Sequence, residues 1–482
     1  MNLPLVISLL SKLLVLEAGL MLPALITALI HREPSWAALL ITMGIVLLAG
    51  LPLMLLVKPA SKDVHAKEGL AVVSLSWVLL SLAGALPFIL SGMIPDFINA
   101  LFETVSGFTT TGASILSRVE HLPRGLLLWR SFTHWVGGMG VLILTLAVMP
   151  KLSGRSAMLA RAESPGPTFS KVVPRMRDTA RLMYAVYTVL SLLQLVLLML
   201  AGLPFFDALI HTLGTAGTGG FSSRNQSVGA YNNPLAEGII TLFMLLFGMN
   251  FVVYFKLLRG EGRAAFHSEE VRFYWILAAL SMLTVTLTTL PRYGQFATAF
   301  RYASFQVASI MSTTGYATTD YVLWPQFTHI LLLLLMVVGA CAGSTAGGMK
   351  VSRVVMLSKA SAREIGQAAA PRKVRLLKMD KKPVNEDTLR SVLVFFLLYM
   401  GILFLGTLIA STDGHDFATS FSAVVSCLSN IGPGLNLVGP SGNFDIFSPH
   451  VKVLLTFLML AGRLEFIPLL VMFHREMWAK GH

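Results

Sequence analysis

The stretch STTGYATTD, Ser312–Asp320, follows a short apolar segment late in the chain, and three relatives of it lie elsewhere in the same sequence. Counting back from Gly315, the residue fifteen positions earlier is Phe300 and the residue six earlier is Ser309. The same offsets from Gly112, in VSGFTTTGAS, give Phe97 and Ser106. From Gly432, in VSCLSNIGPG, they give Phe417 and Ser426, and from Gly220, in LGTAGTGGFS, Phe205 and Gly214. Two before each glycine stand Thr110, Thr218, Thr313 and Asn430. The glycines are 108, 95 and 117 residues apart, room for one span–hairpin–span unit each. Gly/Thr-rich loops are common between membrane helices, and that alone would account for one copy. Four in register read as an internal repeat.

The composition sets the solvent. Of 482 residues, 55% are hydrophobic and 13% charged, against about 25% charged in soluble domains. Apolar runs of about 20 residues, enough to cross a bilayer as helix, recur along the whole length. Ten full spans are predicted at roughly 4–30, 35–57, 70–91, 126–149, 182–203, 235–258, 272–290, 327–349, 389–410 and 451–473. Four shorter segments, about 14 residues each, follow the third, fifth, seventh and ninth spans and read as re-entrant helices. Each runs into one of the four Thr/Gly/Ser-rich stretches, whose irregular backbone must line protein or a water-filled path. No cleavable signal peptide is evident, because the first apolar stretch is long and another follows directly.

Charge gives the orientation. The connections 58–69, 150–181, 256–272 and 350–390, with the C-terminal tail, hold 27 of the 37 basic residues. All fall on one side when ten spans are threaded in order, which places them in the cytoplasm. The formal net charge of +13 is therefore mainly topological and implies no nucleic acid. A basic cytoplasmic face is also compatible with a docking partner or anionic lipid of the bilayer. Cys341 and Cys427, far apart in apolar or Gly-rich surroundings, make neither a disulfide framework nor a metal site.

Loops of this kind suit a dehydrated monovalent cation, which needs a ring of oxygens in place of its water. Glycine at Gly112, Gly220, Gly315 and Gly432 permits positive φ, so that successive carbonyls turn toward one axis. Thr110, Thr218 and Thr313 can add hydroxyl oxygens at the inner end, and Asn430 its amide oxygen. Each short helix would point its C-terminus, with about half a negative charge, at the centre. Asp96, Asp207 and Asp416 stand at the outer starts of three short helices and read as N-caps. Glu103 lies inside the first, where it could bond behind the loop.

With four unequal loops, the run AGSTAGG and a lone Arg in the last span, the chain resembles the Trk/Ktr/HKT superfamily of K⁺ transporters over essentially its whole length. The two extra N-terminal spans make it more similar to the TrkH branch than to the shorter KtrB branch. The resemblance implies an all-α polytopic membrane protein with four pseudo-symmetric span–pore-helix–span repeats around one pore. The expected units are 1–66 for the two extra N-terminal helices, then repeats at 67–154, 155–262, 263–360 and 361–482. It implies K⁺ as the transported ion, with no organic cofactor in this chain, and a filter of Thr110, Thr111, Gly112, Thr218, Gly219, Gly220, Thr313, Thr314, Gly315, Asn430, Ile431 and Gly432. In the plant branch a serine at the first filter glycine goes with Na⁺ transport, so Gly112 argues for K⁺. The fourth loop, Asn430–Pro433, departs from the Thr-rich pattern.

Two gates are expected. The eighth predicted span reads GACAGSTAGGMK from Gly339, a weak helix, since each Gly costs about 1 kcal/mol relative to Ala. Gly339, Gly343 and Gly347 also have the small-xxx-small spacing of close helix packing, and spacing alone decides neither way. The resemblance favours a mobile loop over Gly343, Ser344, Thr345, Ala346, Gly347 and Gly348, below the filter. Arg463, near the middle of the tenth span, must face a polar interior. Either it pairs with another repeat or with the loop's carbonyls, or it is a fixed charge that raises the barrier to cations. The resemblance favours the second.

The leading function is a K⁺-translocating pore subunit in the bacterial inner membrane. The alternative is an H⁺- or Na⁺-coupled K⁺ or Na⁺ symporter. Inverted repeats with broken helices fit poorly, because all four loops enter from one side. A non-conducting scaffold would explain neither the glycines nor Arg463. No enzyme motif stands out: His121, His134, His211, His267 and His329 lack metal-ligand spacing, and His134 reads as interior packing. Gly214–Gly220 follows a membrane segment rather than a strand and lacks a P-loop Lys. By resemblance, nucleotide regulation would come from a cytosolic TrkA-type ring with RCK domains, and the chain would form a homodimer.

Overall fold

The computed structural model describes residues 1–59, 65–140, 176–262, 267–373 and 375–478. They are mostly helical, and the chain is a multi-pass membrane protein. Among the described residues six helical stretches are long and apolar enough to cross a bilayer: Leu3–Ile30, Ser35–Leu56, Ala66–Leu90, Ala180–Leu200, Glu269–Tyr293 and Glu386–Asp413. The first comprises α1 (Leu3–Leu20) and α2 (Leu22–Ile30), joined at Met21. α3 (Ser35–Leu56) and α4 (Ala66–Leu90) follow. Large apolar side chains such as Leu48, Leu200, Leu258 and Phe417 stand exposed on the outside, as lipid-facing positions do.

The prediction of ten continuous spans needs correcting at three places. Of the fourth predicted span the described part is α6 (Arg124–Gly138), and its part from 141 to 149 lies outside the described residues. The sixth, after α7 (Met176–Leu200) and the short α8 (Phe205–Gly217), is two helices, α9 (Pro234–Phe247) and α10 (Phe251–Leu258). They meet at 92°, and Asn250 caps the second by accepting the Val252 N–H at 2.9 Å. The eighth, after α11 (Glu269–Tyr293) and α12 (Phe296–Met311), is α13 (Gln326–Val338), a twelve-residue non-helical stretch and then α14 (Val351–Ala369). The tenth, after α15 (Glu386–Ala410) and α16 (Phe417–Ser429), is α17 (Pro449–Arg463), a break, and α18 (Ile467–Val471). Glu465 and Phe466 in that break have positive φ. Hydropathy averages over such interruptions, so apolar content alone read each as one helix. The basic 350–390 connection is built from α14 and an antiparallel hairpin, β1 (Lys378–Met379) with β2 (Lys382–Pro383).

Four short helices, α5 (Phe97–Phe108), α8, α12 and α16, carry the four loops. Asp96 and Asp416 cap theirs, accepting the N–H groups of Asn99 at 2.8 Å and Thr419 at 3.2 Å. Asp207 does not. It is the third residue of α8, behind Pro204, and is buried, where it accepts the Ser223 hydroxyl at 2.6 Å. The shared Phe is the first helical residue in three copies, whereas α12 begins a turn earlier and makes Phe300 its fifth.

Candidate functional site

Each short helix ends in the same turn. Thr110, Thr218, Thr313 and Asn430 take the left-handed conformation at φ 56°, 56°, 57° and 55°. Such a conformation costs a non-glycine residue on the order of 1 kcal/mol, yet it recurs at the same place in all four copies. The next N–H then folds back onto the helix: Thr111 to Ser106 O at 2.9 Å, Gly219 to Gly214 O at 2.8 Å, Thr314 to Ser309 O at 2.8 Å, and Ile431 to Ser426 O at 3.0 Å. Those acceptors are the small residues at the repeated offset. The glycines follow at φ 79°, 77°, 83° and 102°.

The four turns close on one another. A Cβ on Gly112 would strike Gly219 O, one on Gly220 would strike Thr314 O, and one on Gly315 would strike Ile431 O. One on Gly432 would lie 2.8 Å from Thr111 O. Contact therefore passes from the first loop to the second, third and fourth and back to the first. Each glycine is required twice, by its φ and by the neighbouring carbonyl. The twelve residues predicted for the filter all lie in these turns.

The hydroxyls are less alike than expected. Thr111 and Thr314 turn theirs toward the helix ends, meeting Thr109 Oγ1 at 2.8 Å and Ser312 Oγ at 2.7 Å. Thr218 donates to Gly217 O at 2.6 Å, and Thr313 accepts the Gly347 N–H at 2.7 Å. Asn430 spends its amide N–H₂ on Thr111 Oγ1 and Met459 O, both at 2.9 Å. The fourth loop is thus stitched to the first by a side chain that Thr could not replace.

Four residues brace the ring from behind. Glu103 accepts Arg130 Nε at 2.6 Å, Ser114 Oγ at 3.0 Å and the Ile115 N–H at 3.0 Å. Arg130 in turn lies 3.4 Å from the Phe221 ring centroid and reaches Ser222 O at 3.4 Å. His134 donates through Nδ1 to Gly107 O at 2.8 Å and accepts the Phe221 N–H at Nε2, 3.3 Å. Those partners fix its neutral tautomer. Its ring fills the space where a side chain at Gly219 would stand. Tyr316 donates across to the carbonyls of His211 and Phe221, each 3.2 Å away. Its hydroxyl occupies the place of a side chain at Gly214, which explains glycine where the three other copies carry serine. Neither the buttress role of His134 nor the Arg130 pairing is visible from spacing, because His134 bridges two copies and Glu103 and Arg130 lie 27 residues apart on separate helices.

Beneath the ring runs the stretch Gly339–Lys350. Gly339, Gly343, Gly348 and Lys350 all have positive φ, so this is no helix, and the small-xxx-small packing face does not form. A side chain at Gly347 would strike Ser429 O, so the stretch sits directly against the third and fourth turns. Its other ties reach three elements. The Cys341 N–H meets Gly248 O at 3.1 Å, the Phe251 N–H meets Gly343 O at 3.1 Å, and the Ala342 N–H meets Glu270 Oε1 at 2.6 Å. Lys350, expected on the cytoplasmic face, is buried and bonds back to Ala346 O. Arg463 Nη1 donates to Thr345 O at 2.7 Å, and Nη2 donates to Gly138 O at 2.7 Å and to Gly137 O. Glu465 faces Arg353 instead, 2.5 Å away. Gly343, Ser344, Thr345, Ala346, Gly347, Gly348 and Arg463 are thus one assembly.

Comparison with known proteins now decides the family. The model of the family described as "TrkH: Cation transport protein" matches residues 38–480. The chain belongs to the TrkH family. TrkG of Escherichia coli K12, a Trk system potassium uptake protein, is 35% identical over 95% of both chains. TrkH of Salmonella typhimurium is 35% identical over 97% of both, and TrkH of Halomonas elongata 33% over the full length of both. The crystal structure of the potassium transporter TrkH from Vibrio parahaemolyticus covers 99% of this chain and 100% of its own, with a TM-score of 0.89 at 30% identity. TrkH-family membership makes this a transport protein and not an enzyme.

Proposed function

We propose that the chain is a K⁺-translocating pore subunit of a bacterial inner membrane, with the four turns as its selectivity filter. The observation that carries the reading is the cyclic closure of Gly112, Gly220, Gly315 and Gly432, each against a carbonyl of the next turn. A ring of backbone oxygens at the ends of four short helices is what a dehydrated monovalent cation needs. K⁺ as that cation rests on the relatives, which are potassium uptake proteins. In this reading the chain divides into 1–66 and four repeats, 67–154, 155–262, 263–360 and 361–482, around one axis.

Gly343–Gly348 and Arg463 form the gate. The Thr313 hydroxyl that would serve an ion from below accepts the Gly347 N–H instead. Arg463 holds the same loop through Thr345 O and adds a positive charge under the filter. Transport then requires the loop to leave Thr313 and the guanidinium to leave Thr345. The family resemblance extends the proposal to a homodimer regulated by a cytosolic TrkA-type nucleotide-binding partner, docking on the basic face that carries α14 and the hairpin.

The test is reconstitution into liposomes with the regulator supplied, measuring K⁺ flux against imposed K⁺, Na⁺ and pH gradients. Flux driven by the K⁺ gradient alone is expected. Flux that appears only with an H⁺ or Na⁺ gradient would favour the symporter, and no K⁺ flux under any gradient would overturn the reading.

A further inference from the structure

One buried carboxyl takes no part in the ring or the loop beneath it. Glu17 of α1 is 1% exposed, and neither of its carboxyl oxygens has a hydrogen-bond partner among the described residues. α1 and α4 run side by side in the same direction. At one end the Asn2 N–H donates to Glu68 Oε1 at 2.8 Å. At the other, Glu17 Oε1 lies 3.2 Å from where a Cβ on Gly84 would stand.

Buried polar groups lie on both helices between these two levels. Ser8 and Ser11 of α1 and Ser74, Trp77 and Ser81 of α4 are buried. The last three, spaced i, i+3 and i+7, form one helical stripe. Ser74 Oγ, Trp77 Nε1, Ser81 Oγ and Glu68 Oε2 are, like Glu17, without hydrogen-bond partners among the described residues. Lipid-embedded helices keep such groups satisfied or use them.

Among the described residues no fixed charge on the neighbouring elements faces the carboxyl. α2 and α3 contain no ionisable residue. Lys12 of α1 lies about 7.5 Å away along the axis, on another side of the helix. In α4 the ionisable groups are Lys67 and Glu68, at the far end. Glu103 of α5 is committed to Arg130, and Arg463 lies over the Trp77 ring, 5.7 Å from its centroid, with its hydrogen bonds directed at Thr345, Gly137 and Gly138. A metal cation would need a shell of oxygens, and no group of three His, Cys, Asp or Glu side chains gathers among the described residues. An unpaired carboxylate in apolar surroundings is costly enough that the group neutralises instead. We propose that Glu17 is a proton-binding site inside the membrane, exchanging its proton with water. Gly84 also touches Thr104 and Phe108 of α5, so loss of that proton would set a charge behind the first short helix.

The site does not depend on the filter reading, and infrared spectroscopy of the reconstituted full chain tests it without any flux. A protonated carboxyl C=O band is expected at neutral pH, lost in Glu17→Gln and shifted when wild type is moved into D₂O. Glu17→Leu, also neutral, serves if the glutamine variant folds poorly. A band unchanged in both variants would overturn the site. A band that never shifts in D₂O would overturn the exchange with water.

Discussion

Two arginines on corresponding helices, buried Arg130 on α6 and half-buried Arg463 on α17, are held in opposite ways. Arg130 is locked to the Glu103 carboxylate, which also grips Ser114 and Ile115, and it lies on the Phe221 ring. Arg463 is held by the carbonyls of Thr345, Gly137 and Gly138. A charge-assisted pair with every acceptor used is expensive to open. Carbonyl bonds can be traded for water or for other carbonyls at little net cost. The first arginine braces the ring from behind, and the second is suited to let go.

The largest effect should come from breaking the fixed pair. Glu103→Gln leaves Arg130 buried without its counter-charge, and removing one partner of a buried pair costs about 3–5 kcal/mol. Thermal unfolding in detergent should show a large drop in Tm, with K⁺ flux lost as well. Full stability in this variant would mean that Arg130 is no more fixed than Arg463. Gly315→Ala should come next, because its Cβ would strike Ile431 O and its φ is 83°. Flux should fall severely, with a smaller Tm loss than for Glu103→Gln.

Arg463→Ala should do the reverse: Tm close to wild type and K⁺ or Na⁺ flux raised several-fold, as a charge under the ring is removed and Thr345 is freed. Poor folding with unraised flux would make Arg463 a second brace and erase the comparison. Thr313→Val should shift the same balance less, since it removes only the hydroxyl that accepts the Gly347 N–H. A modest rise in flux without regulator is expected, and no change would show that this bond does not hold the loop.

The repeat, its glycines and the weak stretch after Val338 were legible because each rests on local chemistry. A turn needing positive φ selects glycine, and a glycine-rich run makes poor helix. The breaks after α9 and α17 were not, because each is three residues inside a strongly apolar run. Asp207 was misread because an acid near a helix start is usually a cap. Here Pro204 already begins the helix, and the carboxylate is drawn inward to Ser223. The Glu103–Arg130 brace joins two helices 27 residues apart, and His134 and Tyr316 join residues of different copies; only the folded ring brings them together. Lys350 looked cytoplasmic because it ends a basic connection, but the loop folds it back under Ala346.

The smallest effect separates the two capped helices that flank the closing contact of the ring. Asp96 accepts the Asn99 N–H at 2.8 Å, and Asp96→Ala should cost about 1 kcal/mol, the usual worth of a cap. Asp416 does more. Its carboxylate accepts the Thr419 hydroxyl, the Asn436 side-chain N–H₂ at 2.8 Å and the Thr419 N–H at 3.2 Å. These bonds, the Thr419 hydroxyl foremost, hold it below the usual aspartate range. A carboxyl depressed in the folded state contributes stability that is full above its unfolded value of about 3.9 and lost as pH falls through the folded one. Wild type should therefore lose Tm between neutral pH and that acidic range, and Asp416→Asn should lose less over the same interval. Parallel acid profiles for the two proteins would mean that Asp416 is only a cap, equal to Asp96.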